Sequence, residues 1–160
     1  IMAANHLFPN DDLILFDFGT ATTIEFIDAA KGDLFENRKR AHYLGGNITL
    51  GVATRYKALS HFTQRIPLIS PKDYLKTHKI QEISTIGFDL DSAMAAGNIL
   101  GTVFEVEGFI ARHPERKVVF TGGYSIFLAD SVKKPIFVVY NLVLMGLITI
   151  AEFFANAESN

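Results

Sequence analysis

Leu13-Ile14-Leu15-Phe16-Asp17-Phe18-Gly19-Thr20-Ala21-Thr22-Thr23 sets one carboxylate inside an otherwise apolar run. A carboxylate withdrawn from water needs a cation, a set of hydrogen-bond donors or a raised pKa. Gly19 then allows a sharp turn, Thr20 puts a hydroxyl beside it, and Thr22, Thr23 and Ile24 are β-branched. The stretch reads as strand, tight turn and strand, with an acid and a hydroxyl presented at the tip. An Asp that merely closes a hairpin turn fits the same residues, so the remainder of the chain has to decide between the two.

Outward from this stretch, Ile1 to Phe8 suits the last turns of a helix ended by Pro9-Asn10-Asp11. Leu13 to Phe18 is apolar enough to be a strand covered on both faces. Thr22 to Asp28 alternates as a second strand, Lys31-Gly32-Asp33 turns the chain, and a third strand is expected within Asp33 to Leu44. Three antiparallel strands therefore open the fold. Gly45-Gly46-Asn47 reads as a turn leading into a helix over Val52 to Phe62, and as a phosphate cradle it is a weak signal alone. Gln64 to Ile86 reads as a connection holding at most one short strand. A long helix is predicted from Asp89 through Ile110, stopped by His113-Pro114. Leu90, Met94, Gly97, Gly101, Phe104 and Gly108 recur along it at steps of three and four, so a glycine-studded face is expected to meet another backbone, in the core or at a subunit interface. Lys117 to Thr121 is a buried strand running into Gly122-Gly123, a place where nucleotides dock in open α/β sheets.

The 160 residues suffice for one well-buried domain, and a 49% hydrophobic, 20% charged composition leaves little room for disorder. A net charge of −2 gives no nucleic-acid footprint, and Arg38-Lys39-Arg40 reads as a solvated turn. The absence of cysteine excludes disulfides and thiolate metal sites and suits a reducing cytoplasm, the expected location. Ile1 to Asn10 lacks the pattern of a signal peptide. Ile136 to Phe154 is long and apolar enough to span a bilayer. Its β-type opening and Asn141, a good helix cap, point instead to a strand and a helix in a buried core, so no membrane is expected. The five histidines lack zinc-site spacing, Asp89-x-Asp91 lacks the rest of a calcium loop, and Asn47-Ile48-Thr49 is a chance sequon.

Asp17-Phe18-Gly19-Thr20-Ala21-Thr22-Thr23, Gly45-Gly46-Asn47-Ile48 with Gly51, Ala58-Leu59, Thr63 to Pro67, Thr121-Gly122-Gly123, and Asn141 to Leu144 with Gly146-Leu147 occur in an order and spacing that resembles the type III pantothenate kinases. That family belongs to the acetate and sugar kinase, Hsp70 and actin superfamily. The resemblance implies an α/β fold, with residues 1–160 forming a single RNase H-like (actin-like ATPase) domain. Its mixed sheet, opened by the three antiparallel strands, would be flanked by helices and equivalent to the second domain of the family. It further implies ATP-dependent phosphorylation of pantothenate to 4′-phosphopantothenate on the route to coenzyme A, with ATP and Mg2+, a monovalent cation (K+ or NH4+) and a homodimer. By the same resemblance Asp17 binds the monovalent cation, Gly19 and Thr20 meet the ATP phosphates, and Thr121, Gly122 and Gly123 lie against the nucleoside. The glycine-studded helix face is the expected part of the dimer contact.

The sequence also departs from the family pattern. The Asp-x-Gly-Asn-Thr phosphate loop of a first domain and the catalytic Asp of Gly-x-Asp-Arg have no counterpart here, and are expected upstream of Ile1. The chain alone is then expected to be inactive. Leu90 stands where the family has a pantothenate-contacting Thr, and Leu50 replaces a usual Pro. A catalytically degenerate nucleotide-binding or regulatory relative is the alternative expectation.

Overall fold

The computed structural model describes residues 1–29 and 41–158, with side chains described as far as Ala155. A short helix α1 (Met2–Leu7) leads into strands β1 (Leu13–Phe18), β2 (Ala21–Asp28) and β3 (His42–Leu50). Helices α2 (Val52–Phe62) and α3 (Pro71–Thr77) follow, then a 3₁₀ turn at Ile80–Glu82. Next comes one rod, Leu90–Arg112, made of α4 (Leu90–Met94), a π-helical segment (Ala95–Leu100) and α5 (Gly101–Arg112). Strand β4 (Lys117–Gly122), α6 (Ser125–Ala129), β5 (Ile136–Val138) and α7 (Leu142–Glu158) complete the order.

The five strands form one mixed sheet in the order β3-β2-β1-β4-β5. The β1-β2 and β2-β3 pairs are antiparallel, whereas β4 runs parallel to both β1 and β5. Strand β1 is central because five of its six residues are buried apolar side chains, which only a strand covered on both faces tolerates. Alternation then sorts them. Ile14, Phe16 and Phe18 face a core shared with Tyr56 of α2, Leu75 of α3, and Met94, Ile99, Val103 and Val106 of the rod. Leu13 and Leu15 face a smaller core with Ala3 and Ala4 of α1 and Leu142 of α7. Phe120 packs edge-on against Phe16 and Phe18, with ring centroids 5.3 and 4.9 Å away. Burying each such ring contributes about 1.5–3 kcal/mol, and this cluster anchors the strands whose ends carry the site.

Several sequence expectations change. Gly45 and Gly46 lie inside β3 and make no turn before α2. A β-carbon on Gly46 would sit 2.4 Å from the Ile24 carbonyl oxygen, and Gly45, with φ +120°, occupies an irregularity in the β2-β3 register. The pair serves close strand approach and a bulge, so the third strand extends well beyond Leu44. Its expected start, the Lys31-Gly32-Asp33 turn and Arg38-Lys39-Arg40 lie outside the described residues. Within Gln64 to Ile86 the described structure is helical, with no strand. Pro71 occupies the first turn of α3, where its fixed φ helps, and Ser70 caps the helix by accepting from the Asp73 amide.

The long helix forms as expected, with Asp89 and Ser92 in a reciprocal cap. At its π-helical step Asn98 donates to the Met94 carbonyl and Thr102 to that of Asn98, each at 2.8 Å. Of the two expected uses of the glycine face, packing in the core of this chain is not found among the described residues. A β-carbon on Gly97, Gly101 or Gly108 would meet nothing within 4 Å among the described residues, while Met94 turns into the core. No backbone among the described residues approaches these glycines, and Phe104 beside them is 55% exposed.

The final apolar run divides into β5 and α7 as expected, but it is not buried. Strand β5 packs through Ile136 and Val138, but in α7 the apolar neighbours found among the described residues are those of Leu142, Met145 and the Gly146 backbone, against α1 and the sheet. Val143, Leu144, Leu147 and Ile148 are exposed. One helix side has a partner among the described residues and the other has none. By length and composition the rod Leu90–Arg112 would suit a bilayer, yet here its buried side packs on the sheet.

Candidate functional site

The carboxyl ends of β1 and β4 lie side by side, with the β1-β2 turn beyond them. Asp17 is in register with Thr23 of β2 on one side and Thr121 of β4 on the other. Registered neighbours point to one face of a sheet, so a hydroxyl, a carboxylate and a second hydroxyl form a row on the α1 side. Asp17 is half-buried, and neither a hydrogen bond nor an ion pair reaches its carboxylate from the described residues. Burial therefore raises its pKa.

Gly122 makes room for this carboxylate. Its φ is +89°, and a β-carbon there would lie 2.6 Å from Asp17 Oδ1 and 2.7 Å from the Phe18 backbone. The Gly122 carbonyl accepts from Ser125 Oγ at 2.7 Å, which ties the strand end to the start of α6. Gly123 is open, with nothing among the described residues within 4 Å of a β-carbon built on it.

The Gly19-Thr20 turn is exposed and held from two directions. The Gly19 amide donates to the Ala21 carbonyl at 3.1 Å. The Thr20 carbonyl accepts from the Gly51 amide at 3.1 Å and from Thr54 Oγ1 at 2.6 Å. Gly51 is required by the closeness of the two segments, since a β-carbon on it would stand 2.2 Å from the Gly19 carbonyl oxygen.

The structure thus brings Asp17, Gly19, Thr20, Thr121, Gly122 and Gly123 to one end of the sheet. Leu90 does not join them: it opens the rod on the opposite face and is 43% exposed. Its neighbours Asp89 and Asp91 border an open cavity of about 760 Å³ together with Ser70, Asp73 and Tyr74. Thr23, Gly51 and Thr54 are parts of the site that the sequence did not single out. Strand register could have indicated Thr23, whereas the contact of Thr54 with Thr20 is a tertiary fact without a local signal.

Among the described residues no group of three or more His, Asp or Glu side chains gathers as a multivalent metal site would require. The donor set at Asp17 is all oxygen, one carboxylate flanked by two threonines, and no cationic side chain among the described residues pairs with it. These residues suit a single hard monovalent cation.

The sequence profile of the family described as type III pantothenate kinase matches residues 1–112. A protein of Porphyromonas gingivalis named a type III pantothenate kinase is 34% identical over 157 residues, 96% of this chain and 58% of that protein. One of Phocaeicola vulgatus with the same name is 35% identical over 157 residues, 96% of this chain and 57% of its own length. The chain therefore spans less than three-fifths of the length of these curated relatives. A crystal structure from Campylobacter jejuni, described as a Baf family transcriptional activator, covers 97% of this chain and 63% of that one, with a TM-score of 0.60 and 24% identity. That likeness supports the fold: a five-stranded mixed sheet flanked by helices. By its sequence profile and its relatives, the chain belongs to the type III pantothenate kinase family.

Proposed function

We propose that this chain supplies the ATP-binding, cation-binding part of an enzyme that phosphorylates pantothenate to 4′-phosphopantothenate in coenzyme A biosynthesis. The observation that carries the reading is Asp17, a half-buried carboxylate to which no described residue donates, beside an exposed Gly19-Thr20 turn at the carboxyl ends of two parallel strands. In this reading the domain is RNase H-like, and the rest of the enzyme, with the proton-accepting base, precedes Ile1.

Asp17 would hold K+ or NH4+, with Thr23 and Thr121 supplying hydroxyl oxygens on either side. That cation, with Mg2+ carried on the ATP phosphates, would offset charge on the transferring phosphoryl group. Gly19 and Thr20 present a small, sterically open turn for the phosphates. Thr121, Gly122 and Gly123 form a floor for the nucleoside, open above Gly123. A homodimer in which the uncovered Gly97, Gly101, Phe104 and Gly108 face takes part, working in the cytoplasm, completes the proposal. Light scattering on the intact protein tests the dimer, and a strictly monomeric species removes it.

Calorimetry of ATP binding to the intact protein in potassium and in sodium buffer, with mass spectrometry for 4′-phosphopantothenate, tests the whole reading. Potassium-dependent binding and product formation are expected. One observation favours a second reading, a nucleotide-binding regulatory relative without turnover: Leu90 offers no hydrogen-bonding group where the resemblance places a substrate-contacting Thr. Tight ATP binding with no product formed would favour that reading.

A further inference from the structure

The β1-β2 turn is shaped from outside, by the first turn of α2. Thr54 Oγ1 and the Gly51 amide both donate to the Thr20 carbonyl. Arg55, next along, ties the helix start to the strand before it. Its Nε donates to the Leu50 carbonyl at 2.9 Å, and its Nη2 reaches Thr49 Oγ1 at 3.3 Å and pairs with the Glu105 carboxylate on α5. Arg55 and Glu105 side chains are only 18% and 25% exposed. A planar guanidinium serving three partners at once is a rigid connector, which a lysine cannot reproduce. A continuous path thus runs from the rod through Glu105, Arg55, Leu50 and Gly51 to the Thr20 carbonyl.

We infer that Thr54 is a positioning residue for the Gly19-Thr20 turn, and that the Arg55-Glu105 pair braces the helix start from which Thr54 acts. In this inference Thr54 and the pair act through the turn and not by contact with the nucleotide. Both hold the turn in the one conformation that leaves its outer face free for phosphate oxygens. This inference rests on the nucleotide-binding reading for its kinetic consequence, though not for the brace itself.

The test uses the intact protein and the variants Thr54→Val, Thr54→Ser and Arg55→Lys. Thr54→Val keeps shape and loses the donor. Hydrogen exchange at the Gly19 and Gly51 amides, which close the turn, should accelerate roughly five- to tenfold, the equivalent of one lost hydrogen bond. The KM for ATP should rise by a similar factor while the KM for pantothenate stays unchanged. Thr54→Ser should restore both values, and Arg55→Lys should shift both in the direction of Thr54→Val. A folded Thr54→Val protein with wild-type exchange and wild-type KM for ATP overturns the inference, as does an equal rise in both KM values. If the wild-type protein turns over no ATP, the functional reading fails and exchange alone decides the brace. Acceleration rescued by serine then supports it, and unchanged exchange overturns it.

Discussion

Gly122 has no side chain because Asp17 occupies the space one would fill: a β-carbon there would lie 2.6 Å from Asp17 Oδ1. The glycine in the parallel strand and the acid in the central strand are therefore one device. Gly122→Ala forces a left-handed backbone on a residue with a β-carbon and displaces the carboxylate. Together these should cost about 2–4 kcal/mol. Urea unfolding measures the loss, and a change below 0.5 kcal/mol would mean that the space is not needed.

Asp17 gives a pH signature. Burial raises its pKa, so the fold disfavours the ionised form. Stability from this group is retained at low pH and is lost as pH rises from the unfolded value of about 3.9 through the higher folded one. Asp17→Asn removes that loss. Its stability relative to the wild type should increase from pH 3 to pH 7 in a buffer without potassium, measured by urea unfolding at each pH. Potassium at pH 7 should stabilise the wild type and leave Asp17→Asn unaffected, because only the carboxylate attracts the ion.

Arg116 closes the far end of the sheet. It donates to the Ile27 carbonyl at 3.0 Å and the Leu13 carbonyl at 3.3 Å, and pairs with Asp28 at 2.7 Å while almost wholly buried. Arg116→Ala leaves two carbonyls and a partly buried carboxylate without their cation, a loss of about 2–4 kcal/mol. Asp28→Asn, which keeps a hydrogen-bond acceptor, should cost about 1 kcal/mol. Equal losses for the two variants would contradict this division of roles.

The two sides of α7 should respond differently to mutation. Leu142 is buried against α1 and the sheet, so Leu142→Ala should cost about 2–4 kcal/mol in this chain. Leu147 is 57% exposed, and Leu147→Ser should change stability by less than about 0.5 kcal/mol. Thermal unfolding of the two variants separates them, and comparable destabilisation would show that Leu147 has an apolar partner.

Much of this molecule could be read from its sequence, for reasons that differ by element. Strand β1 was legible because a run of large apolar residues around a single acid permits few environments. The long rod was legible through its cap at Asp89 and its stop at His113-Pro114. Gly45-Gly46 misled because glycine signals both a turn and close strand approach, and only the β2 partner distinguishes them. Helix α7 misled because apolar content reports what a surface could bury, not what lies against it. At the site, Asp17, Thr20 and Gly122 lay in short motifs, while Thr54 acts across the fold on a residue 34 positions away, beyond any local pattern.

In the proposed function, kinase chemistry operates through a cation held at Asp17. Its most direct test is formation of 4′-phosphopantothenate by the intact protein with ATP, Mg2+ and pantothenate, in potassium against sodium, for the wild type and Asp17→Ala. Product is expected in potassium, little in sodium, and a loss of about 100-fold or more for Asp17→Ala. A folded, ATP-binding protein that forms no product in potassium, or an Asp17→Ala variant with undiminished turnover, would contradict it.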